Sequence, residues 1–171
     1  MIMKQPAVFF DRDGVLNVDK HYVYRIEDFE WIPGAIDSIK LANSLKYRTF
    51  IVTNQSGIAR GYYTINAMEE LHNWMLNELS SHGAKIDHVY YCPYNDSGVV
   101  SEYVVGNHPD RKPNPGMIEQ AIQDFNISRE NSFIIGDKES DLEAGRRANI
   151  RGFLYSGGNL YDQMKDILSC H

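Results

Sequence analysis

Apolar positions along the chain fall into short unbroken runs separated by stretches with helical spacing. Ala7-Val8-Phe9-Phe10 is a continuous apolar run and reads as a buried strand. An irregular, aromatic stretch from Val18 to Ile32 follows. Pro33-Gly34 then open a helix with Ile36, Ile39, Ala42 and Leu45 on one stripe. Thr49-Phe50-Ile51-Val52-Thr53 is a second buried strand. Beyond the loop Asn54 to Tyr63, Thr64 is placed to cap a helix carrying Met68, Leu71, Met75 and Leu79 and ending at Gly83. Ile86 to Tyr91 reads as a third strand, and Cys92 to Pro113 as a long loop. Pro115 starts a helix with Met117, Ile118, Ala121, Ile122 and Phe125 inward. Ser132 to Gly136 forms the fourth strand, Glu139 to Asn149 a short helix and Arg151 to Tyr155 the fifth strand. A helix from about Leu160 to Leu168 closes the chain.

Strands alternating with helices predict an α/β fold with a doubly wound, mainly parallel sheet and right-handed crossovers. The segment from Val18 to Ile32 is too short for an independent cap, so loops are expected to cover the mouth of any site. The 171 residues are expected to form a single domain.

Composition narrows the function classes. The net charge of −6 disfavours a broad nucleic-acid footprint. The two cysteines, Cys92 and Cys170, make no disulfide framework and suit a reducing compartment. No apolar run approaches the roughly 18 residues needed to cross a bilayer, and the first residues carry no signal-peptide core. A cytoplasmic monomer with neither a nucleic-acid nor a membrane partner is the expectation.

The chemistry concentrates at the carboxyl ends of the predicted strands, where open α/β sheets hold ligands. Asp11-Arg12-Asp13-Gly14-Val15-Leu16-Asn17 leaves the first strand with two acids that can address one site. Two anions this close need a cation or a shared proton, although Asp-x-Asp-Gly is also a common polar turn. Thr53-Asn54-Gln55-Ser56-Gly57 offers a hydroxyl, two amides and a loosened backbone to phosphate oxygens, or is simply a polar turn. Arg111-Lys112-Pro113-Asn114-Pro115-Gly116 sets two cations before a helix N-terminus, as an anion site or a solvated basic loop. Ile134-Ile135-Gly136-Asp137-Lys138 ends in an acid, with Asp141 four residues on; a helix-dipole carboxylate is the plainer alternative. Arg12, Arg60, Arg111, Lys112 and Lys138 can make a local anion pocket or be ordinary surface charges.

In the order DRDGVLN, TNQSGIARG, RKPNPGM and IGDKESD, these motifs resemble the haloacid dehalogenase superfamily of phosphatases. Within it the chain is similar to the D-glycero-D-manno-heptose 1,7-bisphosphate phosphatases and their histidinol-phosphate relatives. The likeness runs from Phe9 to about Gly152 and includes Tyr22-Val23, Asp28-Phe29 and Tyr90-Tyr91-Cys92-Pro93. It implies a Mg²⁺-dependent phosphomonoesterase of heptose biosynthesis acting on a small phosphorylated sugar. Asp11 would be the nucleophile, forming an aspartyl-phosphate, and Asp13 the general acid and base. Mg²⁺ would bind the carboxylates of Asp11 and Asp137 and the backbone carbonyl of Asp13. Thr53 and Lys112 would hold the phosphoryl oxygens, with Asn54 donating nearby, and Asp141 and Lys138 would support the metal shell. Gln55, Ser56, Arg60 and Arg111 would face the leaving group, Arg111 fixing the sugar or its second phosphate.

One departure concerns the structural zinc common in these relatives. The corresponding positions read Cys92-Pro93-Tyr94 and His108-Pro109-Asp110, so only Cys92 remains as a family ligand. Tyrosine binds zinc poorly near neutral pH, and a zinc-free loop held by packing is expected, with Cys92, His108 and Asp110 as the residual donors. His21, His72, His82 and His88 read as surface or core histidines, and Cys170-His171 is too isolated to hold a metal. Three other readings compete: a histidinol-phosphate or other small phosphomonoester phosphatase, a catalytically silent phosphosugar-binding protein, and a receiver domain. A receiver domain would need an acid where Cys92 ends the third strand.

Overall fold

The computed structural model describes residues 2–170, so His171 lies outside the described residues. Five strands, β1 (Ala7–Phe10), β2 (Arg48–Asn54), β3 (His88–Cys92), β4 (Phe133–Gly136) and β5 (Arg151–Leu154), form one sheet in the order β3-β2-β1-β4-β5. Every neighbouring pair is parallel, with Phe9 beside Phe50 on one side and Ile134 on the other. All carboxyl ends therefore share one edge. β1 sits at the centre, so the residue that leaves it has the ends of β2 and β4 to either side. β3 begins at His88, two residues later than the sequence reading. Asp87 ends the approach by accepting from the Thr49 amide (2.9 Å) while its own amide donates to the Thr49 carbonyl (2.8 Å).

Alternating strand residues divide the interior into two layers. Val8, Phe10, Ile51 and Ile135 pack on α1 (Ala35–Ser44), α2 (Ile65–Ser81) and α5 (Leu160–Ser169). Ala7, Phe9, Phe50, Val52 and Ile134 pack on α3 (Gly116–Phe125) and α4 (Glu139–Arg147). Phe9 and Phe10 are both fully buried, on opposite faces. Each side chain stabilises the fold by about 1.5–3 kcal/mol, and together they anchor the strand that carries the first acid.

Helix boundaries follow their caps. The Thr64 side chain accepts from the Ala67 amide at 3.1 Å, and the Asn159 side chain from the Tyr161 amide at 2.9 Å. Gly83, at φ 75°, turns the chain out of α2. The buried stripe of α1 is Ala35, Ser38, Ile39 and Ala42. This corrects the stripe read from the sequence: Ile36 is half-buried and Leu45, lying just past the helix, is exposed.

Between β1 and α1 the chain forms a 3-10 turn at Ile26–Asp28, and between β3 and α3 another at Ser101–Tyr103. The second loop is tied to its surroundings by the amides of Val99 and Val100, which donate to the Ala59 carbonyl at 2.9 and 3.1 Å. No helix among the described residues is long and apolar enough to cross a membrane.

Candidate active site

Asp11 follows β1 directly, and its amide still pairs with the Ile135 carbonyl at 3.1 Å. The chain then folds back tightly: the Arg12 carbonyl accepts from Leu16 (2.9 Å), and Gly14 adopts φ 88°. A Cβ at Gly14 would sit 2.1 Å from Asp137 Oδ2, so this glycine lets the turn after β1 approach the acid after β4. Asp11 lines a cavity of about 430 Å³ at the carboxyl edge of the sheet, together with Asp13, Lys112 and Asp141.

Carboxylate oxygens of Asp11, Asp137 and Asp141 lie within 4.8 Å of one another. Lys112 is buried against this group, its Nζ donating to Asp11 Oδ1 (2.9 Å), Asp141 Oδ1 (2.6 Å) and the Val52 carbonyl (2.8 Å). Burial alone would lower the ammonium pKa, but the flanking carboxylates of Asp11 and Asp141 outweigh it and keep Lys112 charged. One ammonium cannot balance three acids. Burial, with Asp141 and Asp13 nearby, holds the Asp11 carboxyl well above its usual range despite Lys112. Asp137 Oδ1 is buried with no hydrogen-bond partner. An all-oxygen donor set, surplus negative charge and an orphaned oxygen fit a hard divalent cation such as Mg²⁺.

The Asp13 carboxyl is directed elsewhere. Its Oδ1 accepts from Arg12 Nη2 (2.9 Å) and Asn17 Nδ2 (3.0 Å), and its Oδ2 from Gln55 Nε2 (3.1 Å). Burial would raise its pKa, but the Arg12 guanidinium and the hydrogen bonds from Asn17 and Gln55 bring it below the usual carboxylate value. Gln55 also donates to Thr53 Oγ1 at 2.8 Å and accepts from the Tyr63 hydroxyl.

Asn54 and Gln55 line the cavity, and their side-chain amides are also engaged within the protein. Asn54 exchanges two hydrogen bonds with the backbone of Lys112, at 3.0 and 3.1 Å, and so fixes the loop that delivers the lysine. Gln55 is buried and ties Asp13 to Thr53. Arg60 is not among the residues around the cavity, and its Nε is buried without a partner, because the loop it sits on packs against residues 98–100. Arg12 is fully buried and faces inward, so it is neither a surface charge nor part of an anion pocket. Ser56, Arg111 and Lys138 line the cavity as well, Arg111 also donating to the Tyr94 carbonyl at 3.4 Å. Asp141 Oδ2 accepts from the Lys138 amide at 3.1 Å.

Other residues enter the site unforeseen. His21, read as a surface or core histidine, lines the cavity with Asp19, Tyr22 and Tyr63. His21 and Tyr22 hold φ of 61° and 59°, a left-handed pair without glycine. Tyr22 packs edge-on against Tyr62 and Tyr24 stacks on Tyr63. The Asp19-Lys20-His21 sequence carried one usable signal, an aspartate whose side chain accepts from the His21 amide to make a tight turn (3.0 Å).

In the long loop the Cys92 thiol is buried and, 3.8 Å from the Tyr94 carbonyl, is pushed up to a pKa of about 11 by burial. The His108 ring stacks on Tyr94 with centroids 4.0 Å apart, and its Nδ1 accepts from the Asp110 amide at 3.0 Å.

Comparison with known proteins is consistent across sequence and structure. A family model described as HAD-hydrolase-like matches residues 110–166. A D-glycero-beta-D-manno-heptose-1,7-bisphosphate 7-phosphatase of Rhodopseudomonas palustris is 42% identical over 165 residues, covering 96% of this chain and 91% of the relative. A D-glycero-alpha-D-manno-heptose-1,7-bisphosphate 7-phosphatase of Photorhabdus laumondii is also 42% identical, covering 91% of this chain and 85% of the relative. The crystal structure of a D,D-heptose 1,7-bisphosphate phosphatase from B. bronchiseptica, complexed with magnesium and phosphate, superposes with a TM-score of 0.84. It covers 98% of this chain and 100% of that one at 22% identity, a likeness of fold.

Proposed function

The chain belongs to the HAD-like hydrolases and is a phosphatase, and from that premise we propose that it uses Mg²⁺ to remove the 7-phosphate of D-glycero-D-manno-heptose 1,7-bisphosphate. The observation that carries the reading is the convergence of Asp11, Asp137 and Asp141 within 4.8 Å beside a buried lysine. The substrate rests on the relatives, which are heptose bisphosphate 7-phosphatases at 42% identity across nearly the whole chain.

Asp11 and Asp137 would hold the metal, with Asp141 behind them. Bound there, the ion supplies positive charge that lets an anionic nucleophile meet an anionic phosphate. An Asp11 carboxylate oxygen attacks phosphorus as the bond from phosphorus to the sugar oxygen breaks, giving an aspartyl-phosphate. Lys112 draws charge from Asp11 and from the phosphoryl oxygens, and Thr53 contributes its hydroxyl at the end of β2. Asp13 gives its proton to the departing alkoxide. It then takes one from the water that attacks phosphorus and frees both phosphate and Asp11. Arg12 lowers the Asp13 pKa, and the negative charge of a bound phosphate would act in the opposite direction, favouring the protonated acid. Arg111 and Lys138 supply cationic contacts to the second phosphate, a charge-assisted hydrogen bond being worth about 1.5–3 kcal/mol.

Phosphate release is to be measured with and without Mg²⁺ on both anomers of the heptose bisphosphate and on histidinol phosphate. A metal-dependent preference for one heptose anomer of more than about tenfold in kcat/KM, or about 1.4 kcal/mol, is expected. Equal turnover of histidinol phosphate would remove the substrate assignment, and metal-independent turnover would remove the mechanism.

A further inference from the structure

Arg12 sits between the two acids of the DRD motif, yet it is the largest fully buried side chain among the described residues. An arginine is rarely buried to this degree without a partner for its charge. Its Nη2 donates to Asp13 Oδ1 at 2.9 Å and to the Val23 carbonyl, a strong contact at 2.6 Å. Its Nη1 lies 3.0 Å from His72 Nε2, on the buried face of α2. Guanidinium has donors only, so His72 Nε2 must accept and the ring proton must sit on Nδ1. Burial, reinforced by Arg12, lowers the His72 pKa to about 3, and the ring stays neutral.

We infer that Arg12 and His72 form a buried brace that aims the Asp13 carboxyl at the leaving group, and that both are positioning residues for the reaction. The brace extends from a core helix through the guanidinium to the acid. Two donors, Arg12 and Asn17, occupy Asp13 Oδ1, whereas Oδ2 has one, from Gln55. Oδ2 is thereby left as the oxygen able to carry the transferable proton. Arg12 Nε is already buried without a partner, so loss of His72 would strand a second donor of the guanidinium, which would tilt to find another acceptor. Asp13 would follow, because Arg12 is its only ion-pair partner among the described residues.

The inference rests on the assignment of Asp13 as the proton donor, and the experiment separates the two. Two esters are compared: the sugar bisphosphate, whose alkoxide needs a proton to leave, and p-nitrophenyl phosphate, whose leaving group does not. Asp13→Asn serves as the reference and should lose at least about a hundredfold more kcat/KM, which reports formation of the aspartyl-phosphate and not its shared hydrolysis, on the sugar ester than on the aryl ester. His72→Leu, which removes the acceptor, and Arg12→Lys, which keeps the charge but cannot reach three acceptors at once, should each show a smaller bias of the same sign, about tenfold. His72→Gln, with an amide oxygen for Arg12, should restore the parental ratio.

A merely structural brace would lower both activities together. Equal losses on both esters in whichever of the two variants fold, with the Asp13→Asn bias intact, would overturn the brace and leave the proton donor standing. Loss of the Asp13→Asn bias itself would remove the donor assignment and the brace with it.

Discussion

Replacing Asp137 with asparagine should stabilise the protein in the absence of metal while abolishing its response to Mg²⁺. Asp137 shares a 4.8 Å cluster with Asp11 and Asp141, and its Oδ1 is buried without a partner. At that separation two like charges repel by about 0.9 kcal/mol at the dielectric of water and about 3.5 kcal/mol at an effective value of 20. A buried acceptor left unmatched adds roughly 1–3 kcal/mol. Lys112 contacts Asp11 and Asp141 but makes no hydrogen bond to Asp137, so it relieves that strain only in part. Asparagine has nearly the same shape and fits over Gly14, where Asp137 now packs. A net gain of about 1 kcal/mol is the conservative expectation, a rise of about 2–4 °C in Tm for a chain of this size. The parent should behave in the opposite way with metal: Mg²⁺ at a hundred times its Kd stabilises by about 2.7 kcal/mol, or about 5–10 °C. Thermal unfolding in chelator and across a Mg²⁺ titration measures both. A variant less stable than the parent in chelator, with an undiminished shift in Mg²⁺, would refute the reasoning.

Asp11→Asn should keep its Tm yet show no turnover with Mg²⁺; substantial residual phosphate release would reject Asp11 as the nucleophile. Arg111→Ala should weaken kcat/KM for the bisphosphate by about tenfold or more and for p-nitrophenyl phosphate far less, and equal losses would remove its role at the second phosphate. Tyr63→Phe deletes the hydroxyl that donates to Gln55, and should destabilise by about 1–3 kcal/mol while lowering kcat severalfold; unchanged kcat would disconnect Gln55 from Asp13. His72 is neutral when folded, with its pKa lowered to about 3, so below its unfolded value of about 6.5 the unfolded chain binds the extra proton. Its contribution to stability is therefore complete above about pH 6.5 and falls as pH drops toward 3, by about 1.4 kcal/mol per unit. Urea unfolding at pH 5.5 and 4.5 should show this slope in the parent and a shallower one in His72→Gln; identical slopes would contradict a buried neutral imidazole.

The layered fold was legible because its three central strands, β1, β2 and β4, are buried on both faces, and so appear as unbroken runs such as Ala7 to Phe10 and Phe50 to Val52. The acids at 11 and 137 were legible because a parallel sheet sends every strand end to one edge. Periodicity failed where an element stopped. Leu45 continues the α1 stripe in sequence but lies beyond the last helical residue, Ser44, and so is exposed. Arg12 was misread because the strand had already ended, and the turn that faces Asp11 and Asp13 toward the cavity swings the residue between them inward. Its partner carried a signal. His72 falls four residues after Met68 and three before Met75, on the apolar stripe of α2, where a polar residue demands a buried partner. The amides of Asn54 and Gln55 looked like free donors because sequence does not reveal that Lys112 and Asp13, distant in the chain, claim them.

The left-handed backbone at His21 and Tyr22 has a consequence for engineering. Such a conformation costs about 1–2 kcal/mol at each non-glycine residue, and here it is kept at the rim of the cavity. Selection for heat tolerance alone would be drawn to glycine at position 21, and would strip an imidazole from the entrance as it succeeded. A thermostability campaign on this scaffold that ignores turnover would therefore gain backbone ease by giving up a side chain that lines the cavity.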